Sequence, residues 1–250
     1  AKKSHAMAIW KHILEHDNGV TNFHFEITAD LLDEEELDLI SRMRPGLIQL
    51  EIGVQSTNPD TIKAIRRKMD LDRLRYVVER INAGKNVHQH LDLIAGLPFE
   101  DYDSFGRSFN DVYSMEPEQF QLGFLKVLKG SYMHDMVEEY GLKYRGKAPY
   151  EVLSTKWLPY SDVLRLKGVE DMVEVYYNSR QFLRTLKLFE QEFESAFAMY
   201  EYMAQYYDEQ HLTGLNHSRL ARYEIFHDLI GQKVEPEQMG VFEDALMCDL

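Results

Sequence analysis

Ionisable and amide side chains recur at alternate positions in three short apolar stretches. These are His24, Glu26 and Thr28 in FHFEIT, then Gln49, Glu51, Gly53 and Gln55 along LIQLEIGVQ, then His88, His90 and Asp92 in VHQHLDLIA. Carboxylates so placed accept protons from hydroxyl or ammonium groups, and imidazoles move protons near neutral pH. The His88-x-His90 spacing aims both rings to one side of a strand, as a metal site or an acid/base pair requires. Asp92 stands nearest a Gly-Leu-Pro turn, Gly96 to Pro98, and is the first candidate for a ligand contact. A different chemistry stands at Arg66, Arg67 and Lys68, a cationic run suited either to an anion or to a solvated helix face.

The elements that must position these residues are strands alternating with helices. Phe23, Phe25 and Ile27 share one strand face; Ile48, Leu50, Ile52 and Val54 share the next; Leu91, Leu93 and Ala95 share the third. A further strand, FQLGFLKVL, runs from Phe120 to Leu128. Between them lie helix signals. Asp33 with Glu36 forms a capping box, Asn58-Pro59 a cap followed by proline in the first turn, and Asp70 opens a pattern that Gly84 closes. Asp103 is the expected cap of the helix carrying Phe105, Phe109, Val112 and Tyr113. Alternation of this kind implies a parallel sheet, whose ligands sit at the carboxyl ends of the strands.

Parallel strands buried on both faces read as continuous apolar runs, whereas here each strand keeps a polar face. The expected fold is therefore α/β: a partial parallel β/α barrel with helices outside and a polar interior. A complete eight-unit barrel takes roughly 250 residues for the barrel alone, more than the strand-bearing part provides. Strand signals stop near Gly130. The expected organisation is a partial barrel over residues 1–132, a loop-rich connector over 133–160 and a helical region over 161–250. There Phe182, Leu186, Phe189, Phe193, Phe197, Tyr200, Met203 and Tyr207 recur at helical spacing, as core or docking surface.

Charge and cysteine content bound the partners. A formal net charge of −14 disfavours nucleic-acid backbones and anionic lipid. The single cysteine, Cys248, excludes an internal disulfide and any multi-cysteine metal or iron-sulfur site built from this chain alone. No apolar run has membrane-spanning length and the first residues are too polar for a secretory signal, so the expected partner is a small molecule and the expected compartment the cytoplasm.

In order and spacing, FEITADLL, LEIGVQSTNPDTIKAIRRK and LDLIAGLPFED together resemble the third to fifth barrel strands of radical S-adenosylmethionine (SAM) enzymes. The similarity is greatest to a subgroup with cobalamin-binding domains, that of the magnesium-protoporphyrin monomethyl ester cyclases, and to the oxygen-independent coproporphyrinogen oxidases. The resemblance implies SAM as cofactor, and it implies roles. Glu26 helps hold the SAM amino acid portion, Gln55 reaches the ribose or carboxylate region, Arg67 pairs with the carboxylate, and Asp92 bonds the ribose hydroxyls. It also implies a 4Fe-4S cluster on three cysteines spaced Cys-x3-Cys-x2-Cys, and in the subgroup an upstream cobalamin domain. This chain has neither that triad nor the glycine-rich SAM-amine motif. The economical expectation is the carboxyl-terminal piece of a longer oxidoreductase, inactive as it stands, with exposed barrel edges that favour dimerisation. Two rival readings keep the same residues. One is a metal-dependent or acid/base β/α-barrel lyase or isomerase using His88, His90 and Glu26; the other is a non-catalytic scaffold whose helical tail binds a protein.

Overall fold

The computed structural model describes residues 2–250. A parallel sheet in the order β1-β2-β3-β4 is built from Phe23–Ile27, Ile48–Gln55, His88–Ala95 and Gln119–Phe124. It is covered on one side by helices α1 (Lys3–Glu15), α2 (Glu34–Ser41), α3 (Pro59–Ala64), α4 (Leu71–Gly84) and α5 (Tyr102–Tyr113). The apolar faces inferred from alternation are the buried ones: Leu50, Ile52, Leu91, Leu93 and Phe120 are shut off from solvent under these helices. On the opposite face the polar residues align in rows, because the register pairs Glu26 with Glu51 and Glu51 with His90, and places Gly53 beside Asp92.

Local chemistry sets the helix ends. Asp33 and Glu36 make the reciprocal capping box of α2, and Asn58 accepts from the Asp60 N–H ahead of Pro59 in α3. The cap of α5 is Asp101, not Asp103: its Oδ1 accepts from the Ser104 N–H at 2.8 Å, and Asp103 lies inside the first turn. An acid two residues earlier wins because the chain leaves the Gly96 turn already extended at Asp101. Likewise α4 runs through Gly84, and Lys85 takes the left-handed conformation that ends it.

After β4 come two short helices, α6 (Tyr132–Asp135) and α7 (Val137–Tyr140), and a small antiparallel pair, β5 (Lys143–Tyr144) and β6 (Val152–Ser154). This pair packs against the Gly96 to Pro98 turn that follows β3. Gly96 has φ +85°, and a Cβ there would lie 2.7 Å from Val152 Cγ1, so neither the backbone nor the space admits another residue.

The rest is helical: α8 (Tyr160–Met172), a π-helical turn (Val173–Asn178), α9 (Leu183–Phe189), α10 (Ala196–Glu209), α11 (Arg219–Gly231) and α12 (Met239–Asp249). These helices share one hydrophobic core with the sheet layer. Phe197 and Tyr200 of α10 pack on Phe109 of α5 with ring centroids at 5.4 and 5.5 Å. The aromatic stripe is thus core: Phe182, Phe189, Tyr200 and Met203 are fully buried.

The π-turn seals the sheet at β4. Asn178 accepts from the Phe120 N–H and donates to the Phe120 carbonyl, both at 2.9 Å, so at that residue one side chain takes the place of a neighbouring strand. Beyond β4, the Val127 N–H bonds the Tyr150 carbonyl and the Val152 N–H bonds the Leu125 carbonyl, continuing that closure. Among the described residues no strand pairs with the far side of β1. No helix among them is long and apolar enough to cross a membrane.

Candidate functional site

All four residues singled out by sequence reach one cavity. Glu26 from β1, Gln55 from the end of β2, Asp92 from β3 and Arg67 from the segment after α3 line a space of about 390 Å³ with Thr28, Glu51 and Gly53. It opens on the polar sheet face toward the carboxyl ends of the strands, where parallel folds hold ligands.

Backbone irregularity shapes this cavity. The β2–β3 register slips between Gly53 and Gln55, and Gln55 adopts φ +72°, a left-handed conformation that is strained for a non-glycine residue. The bulge swings the Gln55 amide back over Gly53: a Cβ on Gly53 would come within 2.4 Å of Gln55 Nε2 and 3.6 Å of Arg67 Nη1. Gly53 is therefore the gap that lets amide and guanidinium lie together. Burial of Arg67 pushes its pKa down, with Asp30 opposing the shift.

Asp92 is the least satisfied group in the cavity. Its Oδ1 is shielded from solvent and has no hydrogen-bond partner. Burial, reinforced by the charges of Glu51 and Glu26, pushes its pKa up to about 7. Buried acceptors normally have partners, so an orphan facing a cavity marks where a ligand's donor belongs. The polar side chains of the lining are three carboxylates, one hydroxyl, one amide and one guanidinium. It matches a ligand with ammonium and hydroxyl donors plus a single carboxylate.

Deeper along the polar face, His24 Nε2 lies 3.0 Å from Glu51 Oε2. Gln49 Nε2 donates to His90 Nε2 at 2.9 Å, and burial beside His88 pushes the His90 pKa down, favouring the neutral ring. The His88 and His90 rings meet edge to face at 4.7 Å and do not aim at a common point. Among the described residues no three His, Cys, Asp or Glu side chains are placed to hold a metal ion. Cys248 is exposed on α12, and one thiolate does not supply the ligands of a 4Fe-4S cluster. The residues present fit SAM and do not fit the cluster.

A polar cluster behind the cavity escapes sequence reading. Buried Glu100 accepts from Ser56 Oγ at 2.7 Å and Ser108 Oγ at 2.9 Å, while Ser108 Oγ also accepts from the Thr57 N–H. Asn58 Nδ2 donates to the Phe99 carbonyl, and Thr61 Oγ1 to the Pro98 carbonyl. These bonds tie the turn after Gln55 to the turn after β3, and so fix Gln55 relative to Asp92. Burial pushes the Glu100 pKa up to about 7 against the pull of the two hydroxyls. In sequence an acid in a polar turn reads as solvated; only its enclosure gives it this role.

Residues 138–250 match a family described as Protein of unknown function (DUF4080). Over 110 residues the chain is 27% identical to the oxygen-independent coproporphyrinogen III oxidase of Pseudomonas aeruginosa, a match covering 44% of this chain and 23% of that protein. The Salmonella typhimurium protein of the same name is 26% identical over 110 residues, covering 40% and 23%. The chain thus spans about a quarter of the length of the curated relatives it matches. Among solved structures, coproporphyrinogen III oxidase (HemN) from Escherichia coli, described as a radical SAM enzyme, superposes with a TM-score of 0.50 at 17% identity. That superposition covers 70% of this chain and 37% of the other. In fold this chain is similar to that enzyme, and over 110 residues its sequence is similar to the oxygen-independent coproporphyrinogen III oxidases.

Proposed function

We propose that this chain carries the SAM-binding wall of a radical SAM oxidoreductase, with Glu26, Gln55, Arg67 and Asp92 as cofactor contacts. The observation that supports it is the convergence of those four residues, from three strands and one helix end, on one cavity with an unpaired buried acceptor. Arg67 offers a planar fork to the SAM carboxylate and Glu26 an acceptor to its ammonium group. Asp92 accepts from the ribose hydroxyls, and Gln55, with both a donor and an acceptor, bridges ribose and carboxylate. Carboxylates beside the sulfonium also favour a cationic ligand. When bound and reductively cleaved, SAM supplies the radical that acts on substrate. The chain's own part is to orient the cofactor: the Glu100 cluster holds Gln55 and Asp92 at a fixed separation, and the bulge at Gly53 keeps the floor open.

The cluster ligands lie on polypeptide outside this chain, and the parent protein supplies them; a cobalamin-binding domain in the parent belongs to the same proposal. Alone, the chain binds SAM without cleaving it. Calorimetric titration of SAM tests the assignments. Asp92→Asn and Glu26→Gln each weaken binding about tenfold, as expected for the loss of a charged hydrogen-bond partner. Unchanged affinity in both variants, with wild-type circular dichroism, would falsify the residue assignments.

A further inference from the structure

Two cations next to this cavity are left without employment by the cofactor. The residues after α3 close it with a paired hydrogen-bond motif: the Arg67 N–H bonds the Ile62 carbonyl and the Arg66 N–H bonds the Lys63 carbonyl. In such an ending the left-handed position is ordinarily glycine, and here Arg66 occupies it at φ +58°. A strained residue retained where glycine would be cheaper points to a use for its side chain.

That side chain is aimed. The Arg66 guanidinium stacks on the Tyr132 ring, 3.7 Å from its centroid. Stacking occupies the face of the guanidinium and leaves its edge N–H groups free for a planar or tetrahedral anion. Some arginines are held by carboxylates, Arg44 by Asp17, Arg73 by Glu34 and Arg165 by Glu201, but none of these lines a cavity beside the proposed cofactor site. Among the described residues neither Arg66 nor Lys68 has a carboxylate partner, in a chain with 42 acidic and 28 basic residues.

Both cations face a second cavity, of about 660 Å³, with Ser131 and Tyr132 on its polar side and Leu97 and Met133 on its apolar side. Thr28, Gln55 and Arg67 line this cavity and the cofactor cavity alike, so the two are contiguous. We propose that the substrate carries an anionic group, carboxylate or phosphate, held by Arg66 and Lys68, with an apolar body lying on Leu97 and Met133. The inference rests on the cofactor reading, because contiguity with SAM is what makes this cavity a substrate site.

The test titrates succinate and inorganic pyrophosphate separately into the chain at low ionic strength, by calorimetry. Arg66→Gly is the decisive variant, because glycine suits the left-handed position and the fold gains a few degrees in Tm where an alanine would leave the strain. The expected result is saturable binding of at least one probe, weakened about tenfold in Arg66→Gly and in Lys68→Ala. The better probe identifies the group as carboxylate or phosphate. Equal binding by wild type and Arg66→Gly, or no saturable binding of either probe to about 10 mM, overturns the subsite. SAM is titrated in parallel. If the probes bind at Arg66 and SAM does not bind at all, the cofactor reading falls, and with it the claim that the anion belongs to that cofactor's substrate.

Discussion

Asp92 and Glu100 are two carboxyl groups whose folded-state pKa values, about 7, stand above their ordinary values of 3.8 and 4.5. Each therefore holds a proton more tightly in the folded chain than in the unfolded one. Their contribution to stability is complete below the unfolded values and is lost as pH rises through 7. Thermal scans should show Tm falling between about pH 5 and pH 8, with Asp92→Asn and Glu100→Gln each flattening the fall and melting above wild type at the alkaline end. Curves parallel to wild type would contradict this. A cationic ligand reverses the preference at Asp92 alone, so SAM affinity should rise across the same range, and less so in Asp92→Asn. At this scale the sequence is legible where a period of two decides which way a side chain points, hence Glu26 and Asp92; Gln55 falls on the expected face, but the bulge there is what turns its amide over Gly53. The sequence is not legible where enclosure decides, hence Glu100, Ser56 and Ser108. Arg67 stood beside two equivalent cations, and only the helix ending at Ile65 distinguishes the three.

Elements are most legible in sequence where their ends carry local chemistry. Asp33 with Glu36 and Asn58 with Pro59 mark their helices because cap and backbone are only a few residues apart. The π-turn has no such mark: its wider spacing places Asn178 against β4, and nothing near Asn178 in sequence announces a strand fifty-eight residues away. The two- and three-residue strands of the β5–β6 pair are too short to alternate. Asn178→Ala leaves the N–H and carbonyl of buried Phe120 without partners, and should cost about 1–3 kcal/mol in denaturant unfolding. Hydrogen exchange at the Phe120 amide should accelerate more than at Leu91, which a strand flanks on either side. Equal acceleration at both would mean the loss is global and the clamp incidental.

Across the whole molecule the sequence changes character near residue 130, yet the hydrophobic core does not. Phe109 touches Phe120 and Tyr113 from the sheet layer and Phe197 and Tyr200 from α10. Periodicity names which residues are apolar but not which element they meet, so boundaries at 132 and 160 could be drawn without revealing this contact. A chain ended after residue 137 should therefore show no cooperative thermal transition, because Phe109, Val112 and Phe120 lose their cover. A sharp transition in that shortened chain would show the sheet layer to be self-sufficient. The sheet itself has one finished margin and one unfinished one. Asn178 covers β4 at Phe120, so among the described residues the four-stranded sheet offers a strand-pairing margin at β1. A sheet with one such margin can mate there once. Self-association through β1 should accordingly stop at two copies in sedimentation rather than propagate into fibres.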